Sequence, residues 1–215
     1  ITMSVKNTPY QLLPAAAAEP MRLRITCPQC ACRYAVIGAA FFCPACGHNA
    51  ADLMFQQSLS GIRGALEALP GVRAAIPDRD AAETTARLVI ENGLQNAVTA
   101  FQRYAEVLYS KCTEQAKPRR NAFQNLVEGS NLWKAAAGQG YDAYLPPAGM
   151  AELTRLFQQR HLLAHTQGVV DQEYLTRSGD TAYRVGQRIV IRDAAVRAGL
   201  ALIEALANGM TNDVS

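Results

Sequence analysis

Apolar residues recur at three- and four-residue steps over most of the chain beyond residue 50, which is the spacing of one face of an α-helix. The longest such stretch runs from about Asp78 to Cys112, and its apolar positions are Ala86, Ile90, Leu94, Val98, Phe101, Tyr104, Ala105 and Leu108. Further helical patterns cover about 51–69, 121–137, 149–165, 169–176 and 192–207. Residues 51–210 are therefore predicted to be mainly α, forming an up-and-down helical bundle.

Turn-forming residues separate these helical patterns. Pro70-Gly71 is predicted to end the first helix, and Lys117-Pro118-Arg119-Arg120 to form a basic loop after the long one. Residues 138–147, rich in Gly and Tyr and closed by two prolines, indicate another loop. Ser178-Gly179-Asp180 is predicted to be a turn, followed by a segment of β character at 183–191.

The pattern is different before residue 51. Polar and apolar residues alternate over 22–27, which predicts a short strand, and residues 34–42 favour a hairpin that turns at Gly38. Residues 1–21 are interpreted as a flexible leader. The chain is thus divided into a leader at 1–21, a small β module at 22–50 and the bundle at 51–210.

The β module contains two Cys-x-x-Cys pairs. Cys27 and Cys30 are separated from Cys43 and Cys46 by twelve residues, which is the spacing of a zinc ribbon with four thiolate ligands. Such a site has no open position for water or substrate, so we expect structural zinc and no catalytic cofactor. Cys32 and His48 lie beside the pairs and are predicted to be non-ligands, and a thioredoxin-like redox role is disfavoured.

Composition excludes several classes of protein. Of the residues, 49% are hydrophobic and 18% are charged, as in a packed globular chain, and the net charge of +3 permits nucleic-acid contact without requiring it. No apolar run approaches the roughly 18 residues that span a bilayer, and no secretory signal is evident. Five of the six cysteines fall within 27–46, which indicates metal binding in a reducing compartment. A cytoplasmic protein without a membrane partner is expected.

Chemistry-bearing residues cluster in Arg160-His161-Leu162-Leu163-Ala164-His165. His161 and His165 share a helical face, but a metal site would need a third ligand and no HExxH pattern is present. The plain structural interpretation is a helix end at which His165 caps carbonyl groups and Arg160 pairs with a surface carboxylate.

This segment resembles the signature of the HEPN superfamily, an Arg followed after four to six residues by a His, often with Asn, Asp or His directly after the Arg. Arg160, His161 and His165 match all three places, and the continuation from Thr166 to Tyr174 is similar to bacterial HEPN proteins that carry an N-terminal zinc ribbon. The resemblance implies a HEPN-like bundle and a metal-independent endoribonuclease that acts on RNA as a homodimer.

The residue types suit that reaction. An imidazole can take a proton from a ribose 2′-hydroxyl near neutral pH, and a guanidinium can bind the developing negative charge with two hydrogen bonds. The resemblance implies that His165 is the base or acid, that Arg160 binds the phosphate, and that His161 orients either group or contacts the phosphate. Arg160 and His165 lie about 140° apart around an ideal helix, so two copies facing across a two-fold axis are expected to complete the cleft.

Several other residues each allow two interpretations. Lys117, Arg119 and Arg120 could bind the RNA backbone or form a solvated turn, and Glu91 could face the cleft or be an ordinary surface charge. Trp133 is expected to lie in the core or to anchor a loop rather than to stack on a base, whereas Tyr141 and Tyr144 could stack on bases or anchor their loop. A toxin or phage-defence role, with a partner protein that inhibits or activates it, is a further expectation. The alternative hypothesis is a non-catalytic HEPN-like module that dimerises or binds nucleotide, with the ribbon contacting protein or nucleic acid.

Overall fold

A computed structural model describes residues 22–37, 42–112 and 116–214. The chain divides into two compact units with the boundary between Ala50 and Ala51. The predicted leader at 1–21 lies outside the described residues.

The first unit contains a two-stranded sheet. Strand β1 (Arg22–Thr26) pairs antiparallel with β2 (Arg33–Ile37), from the Arg22–Ile37 pair to the Thr26–Arg33 pair. The first Cys-x-x-Cys pair lies in the connection between these strands. Residues 34–37, the first half of the hairpin expected within 34–42, lie in β2 and pair with β1. The turn expected at Gly38 lies outside the described residues. Phe42 forms an isolated antiparallel bridge with Asn49.

The second unit is helical, as predicted. Its α-helices are α1 (Ala51–Glu67), α2 (Leu69–Ala75), α3 (Arg79–Tyr109), α4 (Leu126–Ala137), α5 (Pro147–His165), α6 (Gln172–Ser178) and α7 (Asp193–Asp213). Two single 3₁₀ turns, Ala122–Gln124 and Tyr141–Ala143, precede α4 and α5. None of the helices within 51–112 and 116–214 has the length and apolar character needed to cross a bilayer.

Helix α3 organises this unit, because α1, α2, α5 and α7 all pack against it. The helix begins where predicted, since the side chain of Asp78 accepts a hydrogen bond from the backbone N–H of Ala81 and caps the first turn. Its apolar face is buried in the core, with Leu94, Phe101 and Leu108 each at most 2% exposed. The helix with one apolar face that was predicted for about 78–112 is therefore confirmed.

Pro70-Gly71 does not end the first helix as predicted. Helix α1 stops at Glu67, and Pro70 lies in the first turn of α2. A proline is tolerated there because the first N–H groups of a helix have no intrahelical acceptor. The pair therefore marks a helix start rather than a helix end.

The predicted β character at 183–191 is also wrong. This segment is mostly irregular and forms a single bridge, between Val169 and Arg188. Ile189 and Ile191 are buried, and the backbone N–H of Ile189 donates to the carbonyl of Gly168. The β-branched residues thus anchor a surface segment to the core without extending a sheet.

Candidate functional site

The four predicted cysteine ligands come together. All four sulfur atoms lie within 4.8 Å of one another, and the Cys27–Cys46 and Cys30–Cys43 Sγ pairs are each 3.6 Å apart. Disulfide sulfurs would be about 2.05 Å apart. Sulfurs at tetrahedral corners about 2.3 Å from a zinc-sized ion would be ~3.8 Å apart. The cluster therefore fits a structural site for a metal ion.

The two Cys-x-x-Cys turns have the same backbone hydrogen bonds. The N–H of Cys27 donates to the carbonyl of Cys32, and the N–H of Ala31 donates to the carbonyl of Cys27. The second turn repeats both bonds sixteen residues later, with Cys43, Gly47 and His48 in the equivalent places. The fourth residue after each first cysteine is left-handed, at φ 57° for Ala31 and φ 72° for Gly47.

The proton affinities of the thiols fit a cation site. Burial raises the pKa of Cys43, but N–H groups of Cys46 and Ala45 and the neighbouring thiols outweigh it, so the pKa falls to about 6. At Cys46 the N–H of His48 lowers the pKa, whereas burial and the other three thiols raise it to about 12. Sulfurs this close cannot all ionise unless a cation balances their charge.

The other cysteines lie outside the cluster. Cys32 and His48 are not among its ligand atoms, and their backbone N–H groups lie against the sulfurs of Cys30 and Cys46. Cys112 is half-buried three residues beyond the end of α3 and packs against the helical core. The structure thus groups only the four predicted cysteines among the residues it describes.

Arg160 lies near the C-terminal end of α5 and is half-buried. Its Nη1 donates to Oε1 of Gln124, in the 3₁₀ turn before α4, at 3.0 Å. Gln124 in turn bonds Gln102 of α3, whose Nε2 also donates to Asn121 at 3.0 Å and to Glu106 at 2.8 Å. The guanidinium is therefore oriented by the amide of Gln124, which hydrogen bonds to α3 hold in place.

One nitrogen of this guanidinium lacks a partner. Nε of Arg160 is buried and has no hydrogen bond within the described part of the chain, and burial lowers the pKa of Arg160. A buried cationic donor without an acceptor is costly, and no carboxylate pairs with Arg160 among the described ion pairs. This side chain suits an anion supplied from outside.

The two histidines of α5 are exposed and in contact. Their ring centroids lie 4.5 Å apart with an interplanar angle of 47°. Burial, the neighbouring His165 and the charges of Arg160 and Arg177 lower the pKa of His161, and Glu173 opposes them. The neutral form of His161, which can accept a proton, is thereby favoured.

Helix α6 is held against α5 by a buried hydrogen-bond chain. Nε2 of Gln159 lies 3.3 Å from the hydroxyl of Tyr174, which donates to Asp180 at 2.5 Å. Gln159, Tyr174 and Asp180 are all buried. The chain fixes α6 so that its exposed Glu173 and Arg177, themselves paired at 2.6 Å, act on His161.

The predicted basic loop is exposed. Lys117, Arg119 and Arg120 all reach solvent, and Nε of Arg119 donates to Glu128 of α4 at 2.8 Å. The loop leads directly into the turn that carries Gln124, the hydrogen-bond partner of Arg160. The positive charges of the loop are therefore close in sequence to Gln124, which orients Arg160.

The remaining candidates are structural. Glu91 is not a surface charge, because it is 7% exposed and accepts two hydrogen bonds from Arg188, at 2.9 and 3.1 Å. Trp133 is fully buried, as predicted, and donates to the hydroxyl of Tyr144 at 2.8 Å. Tyr141 is also fully buried, which supports loop anchoring rather than base stacking.

Several residues around Arg160 were not found from the sequence. Gln102 and Gln124 belong to no motif, and their partnership depends on how the 3₁₀ turn packs on α3. Arg177 was missed because the predicted helix stopped at residue 176, whereas α6 extends to Ser178. A helix boundary two residues later would have placed Arg177 four residues after Glu173 on the same face.

No protein-family model, curated protein or solved structure matches this chain.

Proposed function

We propose that the protein is a metal-independent endoribonuclease of HEPN type that acts as a homodimer. The proposal rests on the side chains at the end of α5. There, a half-buried arginine with an unpartnered nitrogen adjoins two exposed histidines in contact with each other. The resemblance of this segment to the HEPN signature, and its place near the end of a helix in a helical unit, support the assignment.

The proposed reaction uses the ribose 2′-hydroxyl. A neutral imidazole removes the hydroxyl proton, the 2′-oxygen attacks phosphorus, and the 5′-oxygen leaves with a proton donated by a second imidazole. The products are a 2′,3′-cyclic phosphate and a free 5′-hydroxyl. Arg160 binds the negative charge that gathers on the phosphate oxygens, and His165 exchanges the proton. His161 orients one of these groups or contacts the phosphate.

The position of these side chains on one helix supports the proposed homodimer. Arg160 is turned toward the 3₁₀ turn before α4, whereas His161 and His165 are exposed. Two copies that face each other would bring two arginines and two histidines to one cleft. Lys117, Arg119 and Arg120 are proposed to bind the RNA backbone beside it.

For the cysteine cluster we propose a zinc ion with a structural role. Four thiolates at this spacing are the ligand set that zinc takes in closed sites. The ribbon would then position RNA or a partner protein for a helical unit that performs the chemistry. We further propose that the protein acts in the cytoplasm.

The test is cleavage of a labelled single-stranded RNA by the full chain in EDTA, with Arg160→Ala and His165→Ala as the decisive variants. Each is expected to lower the rate by roughly 10²–10³-fold, and the wild type to leave 2′,3′-cyclic phosphate ends. Arg155→Ala, on the same helix, is the matched control and should cleave normally. Intact RNA, or full activity of His165→Ala, would refute the nuclease.

Mixing the two inactive variants tests the shared cleft. A dimer of one Arg160→Ala chain and one His165→Ala chain retains one arginine and one of the two proton-exchanging histidines. Water can protonate the leaving 5′-oxygen in place of the missing imidazole, so a small part of the activity should return. No recovery, with dimers shown to exchange subunits, would contradict a composite site. If Arg160 only holds the turn through Gln124, as the non-catalytic alternative requires, Arg160→Ala will lower stability and the wild type will not cleave RNA.

A further inference from the structure

A pocket of about 370 Å³ opens where the start of α4, the middle of α5 and the end of α6 meet. Leu126, Val127 and Phe157 supply its apolar lining. Pockets that bind small molecules range from about 300 to 1,000 Å³, so this one suits a single flat ring system rather than a larger ligand. Val127 is 68% exposed at the pocket and offers an apolar surface to whatever enters.

The polar lining offers hydrogen bonds of both kinds. Oδ1 of Asn125 caps α4 by accepting from the N–H groups of Val127 and Glu128, both at 3.1 Å, which fixes the orientation of its amide and leaves the NH₂ as a donor. Gln158 has no side-chain hydrogen bond within the described part of the chain, so its amide can both donate and accept. Thr154 adds a hydroxyl.

Charge in the pocket is balanced. Arg177 is the only ionisable residue in its lining, and it is paired with Glu173 at 2.6 Å. The pocket therefore does not gather the uncompensated positive charge that a phosphate would select. A planar guanidinium next to apolar side chains suits the face of a nucleobase, and the amides suit its edges.

The pocket is continuous with the candidate catalytic groups along one face of α5. Thr154, Gln158, His161 and His165 follow one another at steps of four, three and four residues, the spacing of a single helical face. Gln158 and His161 are about 4.5 Å apart along the helix axis. Arg177 links the two regions, because it lines the pocket and its charge acts on His161.

We propose that this pocket binds one nucleobase of a single-stranded RNA, next to the phosphate on which Arg160 and His165 act. The inference rests on the proposed function, since it assigns the pocket to the same substrate. It makes Gln158, Asn125 and Arg177 the residues that determine which nucleotide flanks the cut.

Binding of small ligands to the full chain tests the pocket without cleavage. Each of the four 5′-nucleoside monophosphates is compared by calorimetry with ribose 5-phosphate, which lacks only the base. At least one nucleotide should bind roughly tenfold more tightly than ribose 5-phosphate. Gln158→Ala should remove most of that advantage, whereas Gln172→Ala, an exposed glutamine on α6, should keep it.

Filling the pocket gives a second, independent variant. Val127→Trp should abolish the advantage of the base, and Leu88→Trp, at another exposed apolar position, on α3, should not. Circular dichroism checks that both variants fold. Equal binding of ribose 5-phosphate and all four nucleotides, or an advantage that survives Val127→Trp, would overturn the proposal.

The two proposals can fail separately. Base-dependent binding that needs Gln158, in a protein that leaves RNA intact, would support the pocket and refute the nuclease. Cleavage whose flanking-nucleotide preference is the same in wild type and Gln158→Ala, with no advantage of nucleotides over ribose 5-phosphate, would support the nuclease and refute the pocket.

Discussion

The two units of the chain are stabilised by different means. In the described part of the ribbon, few apolar side chains are buried, and two of them, Cys27 and Cys43, belong to the cysteine cluster. The helical unit buries a continuous core around α3, which includes Leu59, Phe101, Leu153 and Leu206 at 0% exposure. Folding of the ribbon is therefore expected to depend on a bound ion, whereas folding of the helical unit depends on the removal of apolar surface from water.

The same contrast holds for the reactive groups. The four thiols turn toward one another and leave no open coordination position once an ion is bound. His161 and His165 are exposed, and Nε of Arg160 has no hydrogen-bond partner among the residues that the structure describes. Reactivity is thus expected at the exposed or incompletely hydrogen-bonded side chains of α5, and the metal is expected to matter for structure alone.

The largest expected effect is on the ribbon. Cys43→Ser removes one of four ligands, so the chain should lose its bound metal and residues 22–50 should unfold, because metal binding and folding are coupled in such sites. The helical unit should keep its thermal transition, since its core contains none of these cysteines. Metal analysis of the purified chain and amide hydrogen exchange measure both expectations.

Cys32→Ser is the matched control, because this thiol lies beside the cluster but outside it. It should keep one metal ion per chain. A Cys43→Ser protein that retains a full equivalent of metal, or a Cys32→Ser protein that loses it, would show that the ligand set is different.

Features that depend on a local sequence pattern were predicted correctly. The spacing of Cys27, Cys30, Cys43 and Cys46 allowed the cluster to be predicted, and the apolar period of α3 identified its buried face. The start of α3 was also predicted to within one residue, since the expected helix begins at about Asp78 and α3 begins at Arg79. In each case the information lies within a few residues of the feature itself.

Features that depend on packing between distant segments were not predictable. The Glu91–Arg188 pair joins residues 97 positions apart, and nothing in either local pattern marks a buried carboxylate. The Arg160–Gln124–Gln102 chain likewise depends on where a 3₁₀ turn packs. Residues 183–191 have strand propensity, but they lack a neighbouring strand with which to form a ladder.

A smaller effect is expected from Arg188→Met, which removes the partner of a buried carboxylate in the helical unit. The Glu91 side chain is 9% exposed and the Arg188 side chain 38% exposed, so removing the arginine leaves a buried carboxylate without a partner. We expect the free energy of unfolding to fall by about 3 kcal/mol. Urea denaturation monitored by Trp133 fluorescence measures it.

Arg184→Met is the control for Arg188→Met, because Arg184 is exposed on the same segment. Its cost should be below about 0.5 kcal/mol. The metal content should be unchanged in both variants. An Arg188→Met protein as stable as Arg184→Met would mean that the Glu91 carboxylate reaches water in solution.

The smallest expected effect is on metal affinity, in variants that compare the two Cys-x-x-Cys turns. Ala31 is held at φ 57° and Gly47 at φ 72°, and a left-handed residue with a Cβ costs about 1 kcal/mol more than glycine. A Cβ at Gly47 would meet nothing within 4 Å, so backbone conformation alone would set the cost of Gly47→Ala.

Because folding and metal binding are coupled, Gly47→Ala should weaken apparent zinc affinity by about fivefold, as 1.4 kcal/mol is tenfold. Ala31→Gly should strengthen it by less, since glycine also makes the unfolded chain more flexible. Competition with a chelating dye measures both, and changes of the same sign would contradict the equivalence of the two turns.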